Sequence, residues 1–128
     1  YVVDFPTNDL CEYKNVVAIP HLGASTPESE DNCAVMAAQE LINYLENGNI
    51  VNSVNYPSVS APKNKANRVC VLYKACDEAL TEITKITKNA SVTSAVRKAY
   101  GYAIVDSDDS IDSDAINALS FVIKTRSI

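Results

Sequence analysis

Two short apolar runs begin the chain. The segments YVVDFP at residues 1–6 and NVVAIP at residues 15–20 are β-branched runs that each stop at a proline, which is typical of strand ends. A fully apolar run of this length suits a buried strand of a parallel sheet. The pattern therefore predicts two short strands, the second of them buried.

A long helix is predicted over residues 27–47. Apolar residues recur there at intervals of three and four, as they do on one face of a helix. Ser25 and Glu28 have the spacing of a capping box, and Pro27 falls in the first turn, where its missing N–H is tolerated. Gly48 is a typical residue just after a helix end.

The hydrophobic pattern changes after this helix. A short half-buried strand is predicted around residues 50–54, and residues 58–67 are rich in Pro, Ser and Lys, as linkers are. The pattern therefore divides the chain into a first domain at residues 1–57, a linker, and a second domain at residues 68–128.

The apolar pattern of the second domain predicts the order βαββαβ. Its strands are RVCVLY (68–73), SVTSAVRKAYG (91–101), YAIVDSD (102–108) and VIKTRSI (122–128). A tight turn is expected at Gly101, a helix cap at Asp77, and a second cap at Asp112 or Ser113. Two helices on one face of a four-stranded antiparallel sheet bury this set economically, so the predicted fold class is α+β with a ferredoxin-like second domain.

Composition narrows the classes of function. The chain has 128 residues, of which 47% are hydrophobic, enough for one domain or one small domain with an attached piece. Its formal net charge is −5, so no global positive field attracts nucleic acid or anionic lipid, and no partner of either kind is expected. No run approaches the roughly 18 apolar residues of a membrane span, and no secretory signal begins the chain. A cytoplasmic protein is expected.

The cysteines do not suggest a metal site. Their spacing matches neither a CxxC pair nor a tetrahedral zinc set, so no metal is expected and each is interpreted as a small buried hydrophobic residue. The cysteines are Cys11, Cys33, Cys70 and Cys76. Because the chain begins directly on apolar residues without an initiator methionine, we expect a fragment of a longer protein.

The stretch IPHLGAST at residues 19–26 contains the only histidine, His21. Imidazole is the side chain that most readily accepts and donates protons near neutral pH. His21 lies between the end of a predicted strand and the start of a helix, which is where open α/β sheets build their sites. It is therefore a candidate general acid/base, with a structural histidine as the alternative.

A family resemblance rests on this region. PHLGAST, followed by ESEDNCAVMAAQELINYLENGNIVNSVNYP, resembles the C-terminal part of the D-3-phosphoglycerate dehydrogenases, within the NAD-dependent D-2-hydroxyacid dehydrogenases. The βαββαβ tail is similar to the ACT domain that ends many of these enzymes, with VLY and IVDSD among the matching positions. The resemblance implies a remnant of an α/β dehydrogenase domain followed by an ACT domain. It also implies NAD as cofactor and 3-phosphoglycerate as substrate of a parent enzyme, with the long helix connecting the nucleotide-binding domain to the substrate domain.

The resemblance also implies roles for individual residues. His21 would be the general acid/base that takes the proton from the substrate 2-hydroxyl as hydride passes to NAD. Gly23 would let the backbone pass close to the nicotinamide, with Leu22 and Ala24 beside it. Asp4 would touch the nicotinamide riboside or carboxamide, although a turn former is the alternative for an Asp before Phe-Pro.

The chain departs from the family pattern at two places. The family commonly orients its histidine with a glutamate after the proline of this loop, whereas FPTNDL offers Asn8 and then Asp9. Asp9 or a carboxylate elsewhere is expected to take that role. The glycine-rich phosphate loop and the substrate-binding arginine have no counterpart, so the isolated chain is expected to be inactive.

The tail departs from the ACT pattern in the loop after its first strand. ACT domains typically bind a small amino acid, often serine, through a loop with a Pro-Gly pair, but the loop YKACDEAL contains neither residue. We therefore expect no serine binding, and a homodimer joined through edge strands.

Two alternatives to a D-3-phosphoglycerate dehydrogenase remain open. One is a regulatory or oligomerisation module without catalysis, and the other is a related dehydrogenase acting on another 2-hydroxy acid.

Overall fold

The chain forms two compact units. The computed structural model describes all residues 1–128 and divides them into Tyr1–Ala38 and Gln39–Ile128. The elements are β1 (Val2–Val3), α1 (Asn8–Cys11), β2 (Val17–Ala18), α2 (Pro27–Asn47), β3 (Asn67–Lys74), α3 (Ala79–Ile86), β4 (Ser91–Arg97), β5 (Tyr100–Ser107), α4 (Ser113–Asn117) and β6 (Val122–Ser127). A two-stranded and a four-stranded sheet accompany these helices, which agrees with the predicted α+β class.

The first unit contains the small parallel sheet. β1 and β2 pair in register through Val2 with Val17 and Val3 with Ala18. The sequence predicts a buried strand at residues 15–20. The strand is present as β2, but it is not buried, because Val17 is exposed. Strands of two paired residues have too little surface to cover a valine side chain. Their parallel pairing nevertheless brings both carboxyl ends to the same edge.

Helix α2 spans Pro27–Asn47, the range that the apolar period predicts. Its cap differs from the prediction, because the Thr26 hydroxyl, and not Ser25, accepts a 3.2 Å hydrogen bond from the Ser29 backbone N–H. Pro27 is the first helical residue, as expected. Gly48 follows the last turn at φ 69°, a left-handed conformation that glycine adopts readily.

The second unit is built on the sheet order β4-β5-β3-β6, with antiparallel neighbours throughout. Alternate residues of β3 and β5 face opposite sides. One side packs against α3 and α4 in a core of Val69, Val71, Tyr73, Ala79, Ile83, Ala103, Val105 and Ile116. The other side packs Cys70, Tyr102 and Ile104 against Ile50, Val59 and Ala61. Both faces of the sheet are therefore partly covered.

Residues 58–67 contribute to this second face. Val59 and Ala61 are buried, and Val59 pairs with Ile50 in an isolated bridge. The strand predicted around residues 50–54 is reduced to that bridge. The apolar side chains of this segment are buried against the apolar face of the sheet, and the Pro and Ser content of the segment does not predict this burial. The division into residues 1–57 and 68–128 stays a prediction; in sequence, the boundary between the two compact units lies between Ala38 and Gln39.

The turn predicted at Gly101 is wrong. The hairpin turns at Lys98 and Ala99, where Lys98 has φ 55°, and Gly101 lies inside β5 opposite Tyr73. A Cβ on Gly101 would lie 2.2 Å from the Tyr73 ring. The glycine is needed there because the aromatic ring crosses the strand above it.

The helix caps of the second unit are confirmed in part. Asp112 accepts a 2.9 Å hydrogen bond from the Ala115 N–H at the start of α4, as predicted. Asp77 does not cap α3, since that helix begins at Ala79 without a side-chain cap.

The cysteines also differ from their interpretation. Cys11, Cys33 and Cys76 are exposed and only Cys70 is buried. Cys11 lies on α1 and Cys33 on α2, and neither helix contains a buried residue.

None of the chain's helices combines the length and the apolar character that a membrane span requires.

A buried ion pair stabilises the second unit. Arg68 is 1% exposed and Asp106 6%, and their side chains form two hydrogen bonds of 2.6 and 2.7 Å. The remaining guanidinium N–H groups donate to the backbone carbonyls of Asn47, Ala61 and Pro62 at 2.6 to 3.1 Å. Arg68 thus joins three chain segments, and every nitrogen of its guanidinium donates a hydrogen bond.

Candidate functional site

Asp4 and His21 meet at the edge where β1 and β2 both end. Asp4 follows β1, and His21 follows β2 after Ile19 and Pro20. Because the strands are parallel, the residues after them lie at the same edge. His21 Nδ1 and Asp4 Oδ2 are 2.7 Å apart, although the residues are separated by 17 positions in sequence. The sheet therefore creates a carboxylate–imidazole pair.

The pair determines the tautomer of the imidazole. An ionised carboxylate only accepts hydrogen bonds, so Nδ1 of His21 donates to Asp4 and carries the proton. In the neutral ring Nε2 is then left with a lone pair that can accept a proton. The side chains of His21 and Asp4 are 57% and 53% exposed, so neither is buried in a core. At such exposure the pair orients the ring more than it stabilises the fold.

Phe5 completes the surroundings of the imidazole. Its ring centroid lies 4.7 Å from that of His21, with the planes tilted by 47°. This distance and tilt fall within the usual range of aromatic pairs. Phe5 is not among the site residues predicted from the sequence, although an aromatic residue directly after a strand-end aspartate is an available signal.

The loop after His21 is open to solvent. A turn hydrogen bond of 3.0 Å joins the Ser25 N–H to the Leu22 carbonyl, and the Ser29 hydroxyl donates to the Gly23 carbonyl at 3.4 Å. A Cβ placed on Gly23 would meet no atom within 4 Å. Leu22, Gly23 and Ala24 are all exposed. The site residues predicted from sequence therefore share one open edge, with free space above the glycine.

The carboxylate that contacts His21 is Asp4. The family resemblance predicts Asp9 or a carboxylate elsewhere as the partner of His21, and Asp9 lies in α1 without a hydrogen bond to His21. The side-chain Oδ1 of Asp4 accepts no hydrogen bond and remains available to another group.

The edge can hold part of a larger ligand. It offers an oriented imidazole, a free carboxylate oxygen and an uncrowded glycine, but no run of backbone N–H groups of the kind that binds a pyrophosphate. Nowhere do three His, Cys, Asp or Glu side chains come together as metal ligands.

The chain is similar in sequence to several proteins that are named D-3-phosphoglycerate dehydrogenase. No protein-family model matches it. It is 31% identical over 123 residues to D-3-phosphoglycerate dehydrogenase of Escherichia coli (strain K12), which covers 91% of this chain and 30% of the relative. It is 26% identical over 125 residues to D-3-phosphoglycerate dehydrogenase of Dictyostelium discoideum, covering 92% of this chain and 31% of the relative.

A shorter match is closer in identity. The chain is 37% identical over 70 residues to D-3-phosphoglycerate dehydrogenase 2 of Saccharomyces cerevisiae (strain ATCC 204508 / S288c), which covers 52% of this chain and 15% of the relative. The chain thus spans 30% of the length of the Escherichia coli relative and a similar or smaller share of the others.

Proposed function

We propose that this chain, which is related to the D-3-phosphoglycerate dehydrogenases, is the C-terminal segment of an NAD-dependent enzyme that oxidises 3-phosphoglycerate to 3-phosphohydroxypyruvate in serine biosynthesis. The observation that carries the proposal is the Asp4–His21 pair at the shared edge of β1 and β2. It supplies an oriented base where open parallel sheets bind their ligands.

His21 would accept the proton of the substrate hydroxyl at Nε2. Asp4 keeps the proton of the neutral ring on Nδ1, so Nε2 faces the substrate as an acceptor. When Nε2 takes the proton, the positive charge of the imidazolium forms next to the Asp4 carboxylate, which favours it. NAD, when bound, supplies the nicotinamide that accepts the hydride from the substrate carbon that bears this hydroxyl. Oδ1 of Asp4, Gly23 and its neighbours Leu22 and Ala24 would border that nicotinamide.

The rest of the site would come from a longer protein. Neither a glycine-rich phosphate loop nor the family's substrate-binding arginine is found in this chain, so the 128 residues alone would not turn over. We therefore assign the phosphate end of NAD and the substrate phosphate to residues outside the chain. The enzyme is proposed to be cytoplasmic.

The second unit supports the proposal of an ACT-like domain. Its elements follow the order βαββαβ, with the first and third strands, β3 and β5, in the centre of the sheet and β4 and β6 at its edges. This element and strand order supports the proposal of a split βαβ fold with ferredoxin-like topology. Two unpaired edge strands support a homodimer formed by continuing the sheet into a second copy.

The activity can be tested on the longer protein. We expect reduced NAD to appear with 3-phosphoglycerate, measured by its absorbance. We also expect kcat/KM to exceed that for glycerate, which lacks the phosphate, by at least about 100-fold, since a site built for a charged group rejects analogues without it. Turnover of an unphosphorylated 2-hydroxy acid in preference would support a related dehydrogenase. Absence of turnover with any 2-hydroxy acid would support a regulatory module and contradict the proposal.

The Asp4–His21 contact predicts a specific effect of an isosteric change. In the longer protein, Asp4→Asn should lower kcat by about 10- to 100-fold, because an amide N–H can donate to Nδ1 and so shift the ring proton to Nε2. Steady-state kinetics with saturating NAD would measure this. Asp9→Asn is the matched control, since Asp9 makes no contact with His21, and kcat should stay unchanged.

Two outcomes would change the role of Asp4. Equal kcat values for Asp4→Asn and the unsubstituted enzyme would show that the carboxylate does not orient His21. A raised KM for NAD at unchanged kcat would assign Asp4 to the nicotinamide alone.

A further inference from the structure

A cavity of about 280 Å³ opens in the second unit, on the sheet face opposite α3 and α4. Leu72 and Cys70 of β3 and Tyr102 of β5 form its floor, and Tyr44 from the last turns of α2 forms one wall. Most of this surface is apolar or aromatic. The volume lies just below the range of pockets for drug-sized ligands, so it suits a molecule of about ten non-hydrogen atoms.

Two cations border the cavity. Lys124 and Arg126 alternate on β6 and therefore point to the same face, with Lys124 opposite Leu72 and Arg126 opposite Cys70 in the sheet register. All ion pairs of the chain lie elsewhere, and the side-chain ammonium of Lys124 donates no hydrogen bond. This is an uncompensated positive site in a chain whose net charge is −5.

Arg126 is held in place without using its whole hydrogen-bonding capacity. It donates to the carbonyls of Tyr44 at 3.0 Å and Leu45 at 2.5 Å, and its guanidinium lies 5.1 Å from the Tyr44 ring centroid. These contacts fix the side chain at the C-terminal end of α2, where a cation is favoured. A guanidinium has further N–H groups to offer, so Arg126 is pre-organised to bind an anion.

The other polar groups of the cavity are neutral. Burial raises the pKa of the Cys70 thiol and of the Tyr102 hydroxyl, so neither forms an anion that would neutralise the cations. The Tyr102 hydroxyl also donates to the Gly48 carbonyl at 2.5 Å. No carboxylate lines the cavity. Its charge is therefore that of Lys124 and Arg126.

We propose that this cavity binds a small monocarboxylate with a flat apolar body. Lys124 and Arg126 hold the carboxylate, and Leu72, Tyr44 and the floor of the cavity contact the apolar part. The same chemistry disfavours α-amino acids, because their ammonium group would face two cations without an anionic partner. The site is independent of the dehydrogenase activity proposed above and uses none of its residues.

Calorimetric titration of the 128-residue chain with phenylacetate tests the proposal. We expect a Kd on the order of 0.1 to 1 mM, given what a ligand of this size can gain. Phenylglycine, which adds only an α-ammonium group, and 2-phenylethanol, which lacks the charge, should each bind at least about tenfold more weakly. Inorganic phosphate should also bind more weakly, because it makes no apolar contact.

Variants locate the binding site. Lys124→Gln should weaken phenylacetate at least several-fold, and since Lys124 is exposed and unpaired, the fold should be unaffected. Lys63→Gln, a change of the same charge at an exposed position outside the cavity, should leave the Kd unchanged. Backbone amide shifts near Leu72 and Thr125 should move on titration.

The contrary results are distinct. No heat and no shift changes with phenylacetate at millimolar concentration would overturn the proposal. Phenylglycine or phosphate binding as tightly as phenylacetate would overturn the ligand class. Equal effects of the two lysine variants would place any binding outside the cavity.

Discussion

Replacing His21 with glutamine in the longer protein is expected to lower kcat by about 10²- to 10⁴-fold, the usual contribution of a positioned general base. Glutamine keeps a polar group near Asp4 but cannot take a proton from a substrate hydroxyl. The side chain of His21 is 57% exposed, with a hydrogen bond to Asp4 and a ring contact with the exposed Phe5, so its replacement should leave the fold intact. Steady-state kinetics would measure kcat, and a fluorescence titration would show that the Kd for NAD is largely kept.

A second readout separates proton transfer from a structural effect. In His21→Gly, added imidazole should restore part of the activity, because the residue leaves space at the open edge of the sheet. Turnover close to that of the unsubstituted enzyme would rule out the role of His21. Loss of NAD binding together with kcat would assign His21 to cofactor binding.

Replacing Arg68 with methionine is expected to lower the free energy of unfolding by about 3 to 5 kcal/mol, the usual result of removing one partner of a buried pair. Methionine occupies similar volume but donates no hydrogen bond. Asp106, which is 6% exposed, would be left without its cation, and three carbonyls would lose their donor. Urea denaturation followed by circular dichroism would measure the loss.

Two further variants show whether the effect comes from the buried charge. Arg68→Met combined with Asp106→Leu should recover much of the lost stability, since no unpaired charge remains. Lys65→Met is the surface control: Lys65 pairs with Asp108 at the exposed surface, where solvent screens the pair, and the free energy of unfolding should change little. Similar effects of Arg68→Met and Lys65→Met would contradict the importance of the buried network.

Local features of the second unit were predictable from the sequence, with one instructive exception. The strand-like runs RVCVLY and VIKTRSI place β3 and β6 close to their observed bounds, and Asp112 marks the start of α4 through its cap. Gly101 misleads because glycine is common in turns. Its real role depends on Tyr73, which lies opposite it only once β3 and β5 are paired. A contact between strands that are distant in sequence leaves no local signal.

The candidate site shows the same division. The strand-end position of His21 and the range of α2 follow from the sequence, because the apolar spacing and the residues that end strands and start helices act over a few neighbours. Only the tertiary structure decides that Asp4, and not Asp9, binds the imidazole, since the parallel register of β1 and β2 brings the pair together. The Arg68 network and the cavity beside Lys124 likewise combine segments that meet only in the folded sheet. Proximity between distant residues is set by strand pairing and packing, which no single stretch of sequence encodes.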